Sequence, residues 1–254
     1  MSPNDLERER RRYALLWEGQ QRGKRGRKPG LVLQELIQSA IMIADNHGLD
    51  AVTMNRLAQQ FGSGVMTLYR YIPGKEELVD LMVEAVIGET GYPDPPPEGW
   101  RARLEVVARR EWQMYGRHPW VLQVISTMRL PMGPNMTRDV EWKLRAVDDL
   151  SPDPEIRLGL VMLVSAFVQG AGLLLGVEKT AADRGEADLR EWWEAREPEF
   201  GKRIEAVGST SLTRLMSEMR NALDLNAWFE FGLQRTLDGI EAFASRTDSP
   251  STAL

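Results

Sequence analysis

The stretch TMNRLAQQFGSGVMTLYRYIPGK, residues 53–75, carries the clearest structural signal in this chain. Its spacing predicts a short helix, a sharp turn and a second short helix. Thr53 can cap the first helix, because its hydroxyl can accept a free backbone N–H of the first turn. Gly62 and Gly64 predict the turn, since glycine reaches the positive φ values that a sharp turn needs. We therefore expect a helix-turn-helix.

The two short helices each have one side that can be buried. Leu57, Ala58 and Phe61 can pack inward from the first helix, and Val65 and Leu68 from the second. The second helix also carries a small polar surface, formed by Thr67, Tyr69, Arg70 and Tyr71. Such a helix suits insertion into the DNA major groove, with its early residues near base edges. On spacing alone, a helical hairpin inside any all-α core is the alternative.

The flanking sequence makes the DNA-binding interpretation stronger. Apolar residues recur at helical spacing on both sides, over residues 33–44 and 78–86, which predicts a three-helix head with a fourth helix leading out. This run resembles the DNA-binding head of the tetracycline repressor (TetR) family over roughly residues 31–88. The matching residues are Ala44, Gly48, Thr53, Leu57, Ala58, Gly62, Thr67, Leu68, Tyr69, Tyr71, Lys75 and Leu78. The resemblance implies a homodimeric transcriptional regulator that responds to a ligand.

We predict contacts with double-stranded DNA from the basic segment before the head, from the two short helices and from the start of the helix that follows them. Thr53 and Lys75 are the expected phosphate anchors, because each lies at the start of a helix, where free N–H groups favour anions. Arg70 reads a base or holds a phosphate, and Met66 contacts a thymine methyl or packs. The full set is Arg25, Arg27, Lys28, Thr53, Asn55, Arg56, Val65, Met66, Thr67, Tyr69, Arg70, Tyr71 and Lys75.

Charge is distributed unevenly along the chain. The formal net charge is −5, but the first thirty residues carry nine basic and four acidic side chains. The glycine-interrupted run at 22–29, RGKRGRKP, is a candidate basic arm that follows phosphates or enters the minor groove. Its alternative is a solvated tail. The local field near the head matters more for DNA binding than the total charge.

The chain divides into four predicted segments. These are a basic extension (residues 1–30), a helix-turn-helix domain (31–90), a proline-rich connector (91–99) and a helical ligand-binding and dimerisation domain (100–247). The connector, GYPDPPPEG, cannot continue a helix, and we expect it to loosen the link between the two domains. The body is predicted to be all-α, with helices at 100–116, 118–126, 135–150, 154–177, 212–223 and 227–244, and a short one near Trp192.

Two late segments predict a dimer. Residues 158–177 and 226–244 are unusually apolar, and a helix that is apolar on every side needs cover on every side. In a regulator with a two-fold DNA site, such helices would form a four-helix interface. Packing within a single chain is the alternative. We interpret the first segment as a buried helix, not a membrane span, because it contains Ser165, Gln169 and four glycines.

The body is also rich in large, adaptable side chains that could surround a small, largely apolar effector. The candidate ligand residues are Trp112, Tyr115, His118, Trp120, Met128, Trp142, Met162, Phe167 and Gln169. The resemblance raises a metal role for His118, since the tetracycline repressor binds its drug as a magnesium chelate through a pocket histidine. His118, however, lies in an Arg-His-Pro-Trp pattern found in many members that need no metal. We therefore predict no metal and no cofactor.

We expect a cytoplasmic repressor that binds a palindromic operator as a homodimer, with no membrane partner. The chain has no cysteine, which excludes disulfides and thiolate chemistry. Its N-terminus has no apolar core and is not a secretory signal. One alternative is a constitutive DNA-binding protein without a ligand. The other is an all-α enzyme, disfavoured because neither histidine lies in a recognisable catalytic motif.

Overall fold

The computed structural model describes residues 3–18, 33–126, 130–183, 185–218 and 224–247. These residues form twelve α-helices and no strand, as the all-α prediction requires. The helices are α1 (Pro3–Glu18), α2 (Leu33–His47), α3 (Met54–Gln60), α4 (Val65–Tyr69), α5 (Lys75–Gly88), α6 (Trp100–Arg117), α7 (Val121–Ile125), α8 (Pro134–Ala146), α9 (Pro154–Asp183), α10 (Leu189–Ala206), α11 (Thr210–Glu218) and α12 (Leu225–Thr247).

The head is formed by α2, α3 and α4, packed against the first part of α5. Its core consists of the residues at helical spacing, of which Leu36, Leu57, Leu68 and Leu78 are completely buried. The cap on α3 is confirmed: the Thr53 hydroxyl accepts the backbone N–H of Arg56 at 3.1 Å. This buried core fixes the orientation of α4 on the surface of the head.

The turn between α3 and α4 depends on one glycine with positive φ. Gly62 has φ +56°, a conformation that residues with a side chain rarely adopt. Gly64, by contrast, has φ −73° and is the residue before α4. The prediction of a glycine turn is thus confirmed at Gly62 and is wrong at Gly64.

The body is formed by α6 to α12, with α9 at its centre between α6 and α12. Two glycines let these helices approach closely. A Cβ on Gly172 would lie 2.9 Å from the Tyr115 ring, and one on Gly232 would lie 2.4 Å from the Phe167 ring. A larger residue at position 172 would force the Tyr115 ring or α9 to move, and one at position 232 would displace the end of the Phe167 ring.

Helix bounds in the body differ from prediction in several places. α7 begins at Val121, not at 118, and α8 ends at Ala146, where a separate 3-10 helix (Asp148–Leu150) follows. α9 continues past Val177 to Asp183. α10 has 18 residues where a short helix was expected, although it contains Pro198. Side chains contact one another along this helix. The Arg196 guanidinium lies 3.9 Å from the Trp192 ring centre, and the ring centres of Trp193 and Phe200 are 5.7 Å apart. These contacts and the good helix formers between them offset the break that proline would introduce.

One side of α9 and α12 is apolar and exposed. Leu163, Gly170 and Val177 recur every seven residues, so they lie along one face of α9. The exposed large side chains on the two helices are Leu158, Leu163, Leu173, Leu174, Val177, Trp228 and Phe231. By length and composition alone, α9 could span a membrane, and only 33% of its apolar window is buried in the single chain, so the expectation of a buried helix is wrong for much of its surface. The same composition suits a helix covered by another protein chain.

The connector between head and body is anchored at its start, so the expectation of a loose link is wrong there. Tyr92 stacks on Trp142 of α8, with ring centres 4.1 Å apart, and its hydroxyl donates to Asp139 at 2.8 Å. Helix α1 adds a second bridge: Arg12 pairs with Asp80 of α5, and the Trp17 indole N–H donates to the Met132 carbonyl at 3.0 Å. The prolines of the connector gave no indication of these contacts, because the partner residues lie far away in the sequence.

Candidate nucleic-acid interface and effector region

The surface of α4 combines a buried anchor with exposed side chains. Leu68 is completely buried, whereas Met66 is 76% exposed and Tyr69 is 42% exposed. Arg70 is exposed in the turn that follows α4. Rigid helix packing therefore presents an aromatic ring, a guanidinium and an apolar side chain together on one small convex surface, the form that base reading in a groove needs.

Other predicted contact residues surround α4. Thr53 and Asn55 are exposed, Arg56 and Thr67 are half-buried, and Tyr71 is exposed. Val65 is half-buried and packs against the core, so only part of its side chain faces outward. The Lys75 ammonium donates to the Leu49 carbonyl at 3.3 Å and, being exposed, keeps donors for a phosphate. Arg25, Arg27 and Lys28 of the basic arm lie outside the described residues.

Two predicted effector residues, Trp112 and Phe167, form an aromatic stack in the body with Phe229 of α12. The rings of Trp112 and Phe229 are stacked with centres 4.4 Å apart, and Phe167 lies 6.0 Å from Phe229. The Trp112 indole N–H donates to Asn226 at 3.0 Å, which fixes the ring. Sequence reasoning missed Phe229 and Asn226 because both come from α12, which we assigned to dimerisation.

Two clefts open beside this stack. One, of about 590 Å³, is lined by Arg109, Trp112, Gln113, Gly116, Arg117, Leu175, Asn226, Phe229 and Glu230. The other, of about 370 Å³, lies between α9 and α12 and includes Trp112, Phe167 and Trp228. Both volumes suit a small organic molecule. Arg109 is held at the first cleft by a two-pronged contact with Glu230, at 2.9 and 3.0 Å.

The remaining candidate ligand residues do not join this group. Trp142 stacks on Tyr92 on another side of α6, Tyr115 is buried beneath Gly172, and Met162 and Gln169 are half-buried on α9. Met128 lies outside the described residues. The structure thus brings Trp112 and Phe167 together, whereas Trp142 lines neither of the two clefts beside them.

His118 and Trp120 lie at the contact between body and head. The His118 ring nitrogens lie 2.8 Å from Asp45 of α2 and 3.1 Å from Glu89 after α5, and the Trp120 indole N–H donates to Asp45 at 2.8 Å. Burial disfavours the charged imidazole, but the two carboxylates outweigh it and raise the pKa of His118. A cleft of about 420 Å³ lies beside this contact and includes Asp45 and Trp120.

The His118 contact should stabilise the protein more at low pH. Because the pKa in the folded state lies above the unfolded value of about 6.5, this stabilisation is complete below that value and is lost as pH rises through the folded-state pKa. We expect His118→Gln to lower the free energy of unfolding more at about pH 6 than at about pH 9. Urea unfolding at both pH values measures this, with His47→Gln as control. An equal loss at both values would contradict the charged contact.

Sequence reasoning missed most of the charged residues that join head and body. Glu84, completely buried on α5, accepts the backbone N–H groups of Asn135 and Met136 at the start of α8. Burial raises its pKa, against the effect of these donors. Asp80 and Glu84 interrupt an apolar run one helical turn apart, and that pattern was a usable signal for inward carboxylates. Among the described residues, no three possible metal-binding side chains lie close together.

Comparison with known proteins gives consistent similarities over nearly the whole chain. Residues 36–82 match the family model described as bacterial regulatory proteins, tetR family, and residues 92–244 match the tetracyclin repressor-like C-terminal domain. The HTH-type transcriptional repressor DrrR1 of Streptomyces coeruleorubidus is 37% identical over 93% of this chain and 87% of its own length.

Solved structures give the same result. The TetR family protein ActR of Streptomyces coelicolor, in complex with actinorhodin, is similar with a TM-score of 0.67 at 26% identity, covering 85% of this chain and 99% of that chain. ActR in complex with (S)-DNPA gives 0.66 at 25% identity, covering 85% of this chain and 100% of that chain.

Proposed function

Because the chain belongs to the TetR family of bacterial transcriptional regulators, we propose that it represses transcription as a homodimer that binds a palindromic operator and leaves it when a small molecule binds the body. The observation that carries this proposal is the α4 surface, where Met66, Tyr69 and Arg70 are exposed above a completely buried Leu68. This arrangement supports reading of DNA by α4 and its following turn.

The DNA contacts that we propose come from both rigid and basic parts of the chain. Tyr69 and Arg70 reach bases or phosphates from the end of α4, while Thr53 and Lys75 bind phosphates at the starts of α3 and α5. Arg25, Arg27 and Lys28 add phosphate or minor-groove contacts, which make the affinity depend on salt. Base contacts would give sequence preference, and phosphate contacts would fix the position of the head.

The homodimer is supported by the exposed apolar face of α9 and α12. Leu163, Val177, Trp228 and Phe231 are each at least half exposed in the single chain. A two-fold axis would bring this face of one chain onto the same face of a second chain, so that each of these residues would be buried in both chains. Two heads held in this way would reach two half-sites of a palindrome, one helical turn or more apart.

The effector that we propose is a flat aromatic molecule of drug size. The Trp112–Phe229 stack and the adjoining cleft of about 590 Å³ provide an apolar wall, and Arg109 and Glu230 provide polar groups at its rim. The relative ActR has been solved with actinorhodin bound. The second candidate is a constitutive DNA-binding protein, whose body is filled by side chains and does not respond to small molecules. We propose a cytoplasmic location and no enzymatic activity.

Release of DNA by such compounds tests the proposal. A duplex selected from random sequence by the purified protein would be titrated in the presence of actinorhodin and a library of aromatic compounds that quench tryptophan fluorescence. A ligand can weaken DNA binding only by its preference for the unbound form, and operator DNA must weaken ligand binding by the same factor. Compounds that bind tightly and leave the DNA affinity unchanged would contradict an effector role.

The position of the effector has a matched pair of variants. Trp112→Leu should weaken the compounds that release DNA, because it removes the aromatic wall of the cleft. Trp142→Leu removes an indole of the same size that lies against Tyr92, away from both clefts. Equal losses of compound affinity in the two variants would place the effector elsewhere.

A further inference from the structure

A line of buried ionic contacts runs through the body from α9 to α8. The Ser165 hydroxyl donates to Glu111 Oε1 at 3.1 Å, and Lys143 Nζ lies 2.5 Å from the same oxygen. Lys143 also lies 2.6 Å from Asp139 Oδ2, one turn earlier on α8. The three charged side chains are at least 86% buried, so water screens these contacts little.

Arg110 continues this line to the end of α5. Its guanidinium donates to Asp139 Oδ1 at 2.5 Å, to the Thr90 carbonyl at 2.7 Å and to the Ile87 carbonyl. It also stacks 4.3 Å from the Tyr92 ring centre. Carbonyls at the end of a helix lack partners within it and carry the negative end of its dipole. Arg110 therefore ties the last turn of α5 to α6, beside the contacts that Glu84 makes with the start of α8.

The charges along this line balance, and each group depends on the next. Burial disfavours the charged form of Lys143, but Glu111 and Asp139 outweigh it and raise its pKa well above the ordinary value. Arg110 and Lys143 bind the two different oxygens of Asp139, so a change at one cation alters the charge that the other meets. Glu111 Oε2 is buried and has no hydrogen-bond partner in the described part of the chain.

We propose that the ionic line Ser165–Glu111–Lys143–Asp139–Arg110 couples the interior of the body to α5 and thereby sets the position of the recognition surface. Glu111 is the input, because a change in the surroundings of its unpartnered Oε2 alters the contact between the same carboxylate and Lys143. Arg110 is the positioning residue at the output, because α5 begins directly after the α4 turn. The proposal rests on the proposed DNA-binding function.

A double-mutant cycle in DNA affinity tests this coupling without any effector. Glu111→Gln keeps the shape of the side chain and removes its charge. We expect it to change the dissociation constant for the selected duplex by about fivefold or more, although it lies in the body. In a Lys143→Met background, which interrupts the line, the same change should fall below about twofold. A role in body stability alone would shift the melting temperature and leave the affinity effects additive.

Arg110 has a matched control on the same helix. Arg103 is another partly buried α6 arginine; it contacts Pro97, Arg145 and Asp149 and does not reach α5. Arg110→Gln should change DNA affinity and Arg103→Gln should not. An unchanged affinity in Glu111→Gln, equal effects in both backgrounds, or equal effects of the two arginine variants would each overturn the proposal.

Hydrogen exchange separates failure of the coupling from failure of the proposed function. In the full chain without DNA, Glu111→Gln should accelerate exchange of the amides at residues 86–90 and leave those of α12 unchanged. This readout holds even if the wild type binds no duplex, a result that would reject the function and not the coupling. Where Lys143→Met fails to fold, Asp139→Asn, which removes the charge between Lys143 and Arg110 and keeps the shape of the side chain, takes its place in the cycle. Unaltered exchange at 86–90 would overturn the coupling.

Discussion

The double variant Leu163→Glu/Phe231→Glu is expected to be a monomer that no longer binds its duplex at concentrations where the wild type is saturated. Leu163 is 50% exposed on α9 and Phe231 is 64% exposed on α12. Removing one such side chain from an interface costs about 2 kcal/mol, and each substitution occurs twice in a two-fold dimer. Even one of the two residues would therefore weaken the dimer by about 4 kcal/mol, roughly a thousandfold.

Sedimentation equilibrium measures the dimer constant, and the same samples are titrated with DNA. Leu6→Glu is the matched control, because Leu6 is 46% exposed on α1, outside the apolar face of α9 and α12. It should leave the dimer intact. A double variant that stays dimeric would mean that the exposed face has another partner.

The second large effect is expected at the recognition surface. Tyr69→Ala and Arg70→Ala should each weaken binding to the selected duplex by about 1–3 kcal/mol per half-site if the side chain reads a base. A phosphate contact would instead weaken selected and scrambled duplexes equally and lower the salt dependence by about one ion per contact. Titration of each variant against both duplexes at two salt concentrations distinguishes the two roles.

Arg145→Ala provides the charge-matched control for Arg70→Ala. Arg145 is 73% exposed on α8 and pairs across one helical turn with Glu141. Its removal takes away the same positive charge far from α4, and we expect no loss of DNA affinity beyond a small general effect. If Tyr69 and Arg70 variants bind both duplexes like the wild type, these residues do not belong to the interface.

The sequence was sufficient to predict the head because its signals are local. Thr53 caps the helix that follows it, Gly62 makes the turn, and Leu57 and Leu68 recur at helical spacing. Each of these signals acts within a few residues, so none depended on how distant parts of the chain meet. Because Val65 and Leu68 were needed for the core, the remaining residues of α4 could be expected to be exposed.

The body was predictable as a set of helices but not as a site. Trp112 and Trp142 look alike in sequence, and only their packing partners, Phe229 and Tyr92, separate them. His118 was a candidate ligand residue, yet its ring contacts Asp45 and Glu89 at the head. Contacts between residues 29 or more positions apart decide such questions, and spacing carries no information about them.

The connector shows the same limit. Its prolines predicted a loose link, whereas Arg110, Glu84 and Tyr92 tie α5 and the following residues to α6 and α8. Carboxylates and guanidinium groups within apolar runs of α5 and α6 could have suggested buried pairs. Their partners could not be assigned without the fold, because any of several opposite charges satisfied the same requirement.

The stoichiometry and symmetry of the protein–DNA complex decide whether the protein acts as a dimeric repressor. A duplex selected from random sequence by the full chain should have a two-fold symmetric consensus, and sedimentation should give two chains for each duplex. One chain bound to a site without two-fold symmetry would contradict the proposed dimeric repressor.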